Sequence, residues 1–457
     1  MRKRIRCRVL CFALVFVSML LCAAPAFARA ALPAPIVYVG GFGTELFENP
    51  GTAAETEIFF SQLGTDAVVA ALGTVALEQL QAPLRLLFGR QRTADFLVAF
   101  VLRWLGRIAC DANGNSINNV TGRRGNAAPG YHSSGRQFWS FLPDWRLDPM
   151  QEARALAEYI AYVQQESCSE RVALQLHSYG GIVGCAYLEQ FGTDAIESVF
   201  LDVSAHGGVV LAQELLQKRL EVSGAGLAAF LRENIADPSG KFATAADALE
   251  WLGCFDALEW LANPLLARMS DTLYGEAVVP LLAQMPAVWA FVTEDAAYEK
   301  AKALLLNDAE KYAQLIARID DYHYNVGNRT DEILRETAAE VKLALLCSYD
   351  LAPIPLGGQA LYQSDFLIGT AQESGGAICA PYGQTFPQGY TQAIPGEKNF
   401  ISPDRVVDAS ACPLPEYTWF IRGRRHGFGS DLGLYEWFLA QEAQPSVFSD
   451  AAYPQFM

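Results

Sequence analysis

The run Arg171-Val172-Ala173-Leu174-Gln175-Leu176-His177-Ser178-Tyr179-Gly180-Gly181 constrains this chain more than any other stretch. An apolar strand leads into a Ser on a tight turn, and glycines then open the apolar helix Gly181-Ile182-Val183-Gly184-Cys185-Ala186-Tyr187-Leu188. A Ser hydroxyl is a weak nucleophile unless it is held clear of the backbone, within reach of a His and beside N–H donors. A strand-turn-helix with small residues after the Ser supplies that shape, because the turn is strained and the helix packs closely on the strand. The run departs from G-x-S-x-G at its first position, which is Leu176. The plainer reading is a strand-turn-helix carrying a surface Ser.

The surroundings of this run predict an α/β chain. Ile36–Val39 is a short apolar strand entering Gly40-Gly41-Phe42-Gly43-Thr44. Strands are also expected at 138–142, 198–203, 343–347 and 417–421, with a helix over about 150–165 and another at the C-terminus. Such alternation implies a mostly parallel central sheet with helices on both faces. Residues 55–108 read as mostly helical, 110–135 as a surface excursion rich in Asn, Gly and Arg, and 351–400 as long loops. Residues 208–340 break the alternation with a Leu- and Ala-rich helical stretch. It reads as an inserted cap that would shape an apolar pocket and exclude water; packing on the core for structure alone is the other reading. The expected organisation is a leader over 1–30, a first core part over 31–206, a helical cap over 207–340 and a second core part over 341–457.

The leader reading rests on five basic residues within the first eight positions, an apolar stretch from Val9 to Leu21, and the small-x-small sites Ala26-Phe27-Ala28 and Ala28-Arg29-Ala30. The apolar stretch is short for a membrane span, and Leu21 is too bulky for lipidation at Cys22. A cleaved export signal follows, with a secreted or periplasmic destination. The formal net charge is −16, and the leader removes Arg2, Lys3, Arg4, Arg6, Arg8 and Arg29 to make it more negative still. Such a surface argues against nucleic acid and against electrostatic docking on anionic lipid. The cysteines left are Cys110, Cys168, Cys185, Cys254, Cys347, Cys379 and Cys412. Export permits disulfides among them, the odd count leaves at least one thiol unpaired, and Cys185, on the apolar helix, is expected to stay out of any pair. Their spacing is unlike a zinc site. Asn119 and Asn328 stand in N-x-[ST] sequons. Nothing in the sequence specifies an oligomeric state.

Five histidines are available to serve Ser178 as a base. His426 is the best placed, on the loop Gly423-Arg424-Arg425-His426-Gly427 after the last expected strand. His177 is tied to the turn backbone and is expected to point away from Ser178; His206 comes too early; His132 and His323 read as surface residues. The acid that orients the base is expected at Asp404, just before the final strand, with Asp408 and Asp202 as alternatives. Backbone N–H groups of Phe42 and Tyr179 are the expected oxyanion donors. A phosphate-cradling role for the 40–43 glycines lacks the Lys and downstream acid that a nucleotide site needs.

The order Ser, acid, His is that of α/β-hydrolases, and the chain resembles their secreted lipases and esterases. The resemblance is to the lecithin:cholesterol acyltransferase and lysosomal phospholipase branch in particular. Residues 37–46 look like that branch's first strand and oxyanion loop, Asp144-Trp145-Arg146 like its D-W-R signature, and His177-Ser178-Tyr179-Gly180-Gly181 like its H-S-x-G-G turn. Asp404-Arg405-Val406-Val407 is similar to its acid loop, with Arg in place of Gly. The likeness spans about half the chain and leaves out the cap. It implies a Ser-His-Asp hydrolase of carboxylic esters, of lipids above all, with an acyl-enzyme intermediate and no metal or organic cofactor. A small-molecule ester or lipid substrate and transient contact with lipid surfaces are the expected partners. An acyltransferase, a thioesterase or a non-catalytic binding protein of the same fold are the alternatives, and the same triad can cleave peptides.

Overall fold

The computed structural model describes residues 33–59, 98, 102, 106–234, 241–358, 361–427 and 431–457. The expected leader and most of the helical reading over 55–108 lie outside the described residues. Within the latter range, 56–59 is a strand.

The strands in chain order are β1 (Ile36–Val39), β2 (Leu46–Glu48), β3 (Thr56–Phe59), β4 (Val120–Gly122), β5 (Gly130–Tyr131), β6 (Gln137–Phe141), β7 (Val172–His177), β8 (Ile196–Asp202), β9 (Lys342–Tyr349), β10 (Ile378–Cys379), β11 (Val407–Asp408) and β12 (Thr418–Arg422). Seven of them form the central sheet in the order β12-β9-β8-β7-β1-β6-β5. Every pairing in it is parallel except β5 with β6, which closes one edge antiparallel. The 110–135 excursion supplies β4 to a small sheet with β2 and β3, and β5 to the main sheet.

The pleat divides the apolar side chains of these strands between two cores. Val37, Val39, Leu174, Leu176, Val199, Leu201, Leu343 and Leu345 point to one face. There they meet α1 (Pro149–Ser167) and α2 (Tyr179–Phe191). Ile36, Ala173, Phe200, Ala344, Leu346, Trp419 and Ile421 point to the other. The strands carry apolar residues at both parities because both faces are covered. Helix α1 starts where Asp148 accepts from the Met150 N–H at 2.9 Å and Pro149 fills the first turn.

Between β8 and β9 the chain is helical. It runs through α3 (Val210–Leu216), α4 (Gly224–Asn234), α5 (Lys241–Trp251), α6 (Cys254–Leu273), a wide turn of helix over Tyr274–Ala283, α7 (Pro286–Trp289), α8 (Asp295–Leu305), α9 (Ala313–Tyr322) and α10 (Thr330–Glu340). In the first part of this segment α4, α5 and α6 pack on one another, and its last part rejoins the core: α9 packs on α1, and α10 on α2 and β9. The second face of the sheet is covered by α12 (Leu434–Ala440), through Leu434, Tyr435, Phe438 and Leu439. The loops over 351–400 hold the short helix α11 (Thr370–Glu373) and strand β10. This strand order, with a Ser on the turn between β7 and α2, is the α/β-hydrolase fold.

The seven cysteines among the described residues are all free thiols, so the disulfides expected among them are not formed. Cys110, Cys185, Cys347 and Cys412 are buried in the main core as small apolar side chains.

Candidate active site

Ser178 follows β7 with φ 55° and ψ −122°, a strained conformation for a residue with a Cβ. Two backbone bonds hold the turn: the Ser178 N–H donates to the Asp202 carbonyl at 3.1 Å, and the Ala205 N–H to the Ser178 carbonyl at 3.0 Å. The glycines that follow are required by contact. A Cβ at Gly180 would stand 2.2 Å from the Val39 carbonyl oxygen, and one at Gly181 would stand 1.7 Å from Ser204 Oγ.

His426 Nε2 lies 2.9 Å from Ser178 Oγ across 248 residues of sequence. Its Nδ1 is hydrogen-bonded to Asp365 Oδ2, and its backbone N–H donates to the Asp365 carbonyl at 3.0 Å. Asp365 is fully buried, and its Oδ1 accepts the Leu367 and Ile368 N–H groups at 2.8 and 2.7 Å. Burial pushes its carboxyl up, but the charge of His426 and its hydrogen bond outweigh that and hold it below the usual carboxylate value.

The three expected acids lie elsewhere, which corrects the sequence reading. Asp404 accepts from Ser402 Oγ at 2.6 Å and Tyr349 Oη at 3.1 Å, with Arg422 at 3.7 Å. Asp408 accepts from Tyr390 Oη and from the N–H groups of Ala393 and Ser410, and so fastens a loop. Asp202 lies 3.2 Å from His177 Nδ1 and 2.7 Å from Arg424. Burial raises Asp202, but the His177 hydrogen bond and the Arg424 charge prevail and hold it at about 2. The acid that faces His426 comes from the loop after β9, in Gln363-Ser364-Asp365-Phe366. The signal that could have found it is positional: Asp365 also falls between Ser178 and His426, but after the strand before the last one.

The other histidines divide. His177 packs against Tyr38, with its ring centroid 5.4 Å from that of His426, so it lies beside the site. His206 is buried with Nδ1 3.1 Å from Ser204 Oγ, and burial lowers it to about 4. His132 is exposed. His323, expected at the surface, is buried and stacks on Tyr298 at 3.7 Å.

The loop after β1 passes directly over Ser178: a Cβ at Gly41 would lie 2.9 Å from Ser178 Cβ and 3.2 Å from its Oγ. Phe42 follows it, and Tyr179 opens α2, where the first N–H groups have no partner inside the helix. The Asp144-Trp145-Arg146 run holds this loop. Arg146 and Asp144 form a fully buried two-point ion pair at 2.9 and 2.7 Å. Arg146 also donates to the carbonyls of Ile108 and Val120. Trp145, fixed between them, donates from Nε1 to the Thr44 carbonyl at 2.9 Å and packs its ring on Phe42.

In front of Ser178 opens an apolar cavity of about 250 Å³. Phe42 and Leu367 line it from the core, and Val209, Ala212, Leu215 and Phe291 from the helical segment above. Asp365, Glu373 and His426 bring ligand atoms within 4.8 Å of one another. Both ring nitrogens of His426 are already engaged, Nδ1 by Asp365 and Nε2 by Ser178.

No known family and no curated protein matches the sequence. Among solved structures the chain is similar to the esterase RhEst1 from Rhodococcus sp. ECU1013, at 15% identity and a TM-score of 0.24, over 71% of this chain and 80% of that one. It is similar at 14% identity and a TM-score of 0.24 to a Tle4–Tli4 complex chain, over 70% and 75%. The N-acyl homoserine lactonase AidH, complexed with N-butanoyl homoserine, matches at 14% identity and a TM-score of 0.17, over 50% and 60%. These likenesses are weak, and the fold is defined by the strand order and the turn at Ser178.

Proposed function

We propose that this protein is an exported serine hydrolase of carboxylic esters with apolar acyl groups, lipid esters foremost. The observation that carries the reading is the chain Ser178–His426–Asp365 at the mouth of an apolar cavity. Ser178 Oγ attacks the acyl carbonyl while His426 Nε2 takes its proton, and Asp365 orients the ring and balances the imidazolium. The Phe42 and Tyr179 N–H groups receive the oxyanion. His426 then gives its proton to the leaving alcohol, and water, activated by the same His, releases the acid from the acyl-enzyme.

The lipid assignment rests on the cavity lining and on the helical segment above it. Trp251 and Trp260 are 86% and 74% exposed, with Leu252 and Leu261 exposed beside them. Such a patch suits contact with a lipid surface. The D-W-R and H-S-x-G-G runs favour the acyltransferase and phospholipase branch over other esterases. No described helix is long and apolar enough to cross a membrane.

The test is labelling with a fluorophosphonate probe, then hydrolysis of para-nitrophenyl esters of rising acyl length. Labelling lost in Ser178→Ala, with a preference for chains longer than acetyl, supports the reading. Labelling that survives in Ser178→Ala refutes the nucleophile, and a strict preference for acetyl refutes the lipid substrate.

A further inference from the structure

Behind Asp365 lies a second carboxyl group. Glu373, on α11, is buried, and one of its oxygens, Oε2, accepts the Ser348 N–H at 2.6 Å. Its other oxygen, Oε1, is buried and finds no donor, and Glu373 brings one carboxylate oxygen within 4.8 Å of Asp365 and His426. Two carboxylates cannot share a buried site with both ionised. Asp365 already receives the two N–H groups of Leu367 and Ile368 and the His426 ring, so it keeps the negative charge. An unpartnered oxygen next to an acceptor is satisfied when it carries the proton itself.

We propose that Glu373 is a positioning residue of the site: a neutral acid whose Oε1–H donates to Asp365, extending the chain Ser178–His426–Asp365 by one link. Its surroundings fit that state. Burial, and next the charge of Asp365, drive its carboxyl well above the usual range, against the Ser348 N–H and the charge of Arg424. Arg424 is committed to Asp202 at 2.7 Å. The other titratable neighbours, Cys347 and Cys379, are themselves raised by burial and add no charge. Ser348 ties Glu373 to the base mechanically, since its Oγ donates to the carbonyl of Arg424, two residues before His426. The donated proton fixes the rotamer of Asp365 and withdraws part of its charge, which tempers how strongly it favours the imidazolium.

The inference rests on the hydrolase reading, and its test is independent of turnover. The His426 imidazole is titrated by NMR in the wild type, Glu373→Gln and Glu373→Met, with the resonance assigned by its loss in His426→Gln. Gln keeps the acceptor for Ser348 and a neutral donor for Asp365, whereas Met keeps only the volume. The expected result is a wild-type midpoint in Glu373→Gln and a midpoint higher by about one pH unit in Glu373→Met. The acid limb of kcat/KM should move with it, and kcat should fall ~10-fold in Met but stay within ~2-fold in Gln. A midpoint that drops in Glu373→Gln would mean that Glu373 is ionised in the native protein and would overturn the proposal. So would identical midpoints in all three proteins. If Ser178→Ala retains activity while the midpoints behave as expected, the hydrolase reading fails and the carboxyl pair stands.

Discussion

Trp145 and Phe42 pack with their ring centroids 4.2 Å apart, and the Trp145 indole N–H closes the same loop through the Thr44 carbonyl. This indole braces the loop that carries Phe42 past Ser178. Trp145→Phe keeps an aromatic ring but loses the donor. It is expected to lower kcat ~10-fold with KM little changed, within the ~10²–10³-fold that one oxyanion donor supplies. Steady-state kinetics on a short para-nitrophenyl ester reads the split; a KM effect alone would assign Trp145 to substrate binding.

Asp365 and Asp404 should differ sharply when each is replaced by Asn. Asp365→Asn leaves His426 without its anionic partner and is expected to reduce kcat ~10⁴-fold. Asp404→Asn disturbs hydrogen bonds to Ser402 and Tyr349 and should leave kcat within ~2-fold. Equal losses in the two variants would return the acid role to question.

Two buried groups fix the direction of acid unfolding. His206 stays neutral in the fold, lowered to about 4 by burial, so between its usual 6.5 and about 4 the unfolded chain binds the extra proton. Stability is therefore lost as pH falls through that window, by roughly 3 kcal/mol in all. Asp202, lowered from 3.8 to about 2, contributes roughly 2 kcal/mol that is present above pH 4 and lost as pH falls toward 2. Urea midpoints measured against pH should show a shallower decline between pH 6.5 and 4 in His206→Gln. Asp202→Asn should be less stable at neutral pH, with its deficit shrinking below pH 4.

The cavity makes a size prediction. Ala212, on α3, lines it together with Leu282 and Ile368. Ala212→Phe should fill the space and lower kcat/KM for long-chain para-nitrophenyl esters by ~10–100-fold, leaving the acetate ester nearly unchanged. A uniform loss across the series would place the acyl chain elsewhere.

Local pattern carried the framework. Apolar strands before the Gly40–Thr44 loop, before Ser178 and before His426 are each legible within a few residues, because a strand buried on both faces needs an unbroken apolar run. The glycines after Ser178 are legible as part of the turn motif, and the structure gives their reason: a Cβ there would collide with Val39 and Ser204. The disposition of the cysteines was not, since burial of a thiol and its pairing look alike in sequence.

The sequence by itself determined the sheet, the turn that strains Ser178 and the loop that carries His426, all of which follow from residues adjacent in the chain. Only the tertiary structure decided which acid meets the base. Asp365, Asp404, Asp408 and Asp202 are all carboxylates at loop or strand ends, and nothing local ranks them. What separates them is how the chain after β9 folds back, bringing Asp365 to His426 from 61 residues away. The same packing seats Glu373 behind that pair. Such contacts are set by the closure of loops on the core, and sequence periodicity holds no record of them.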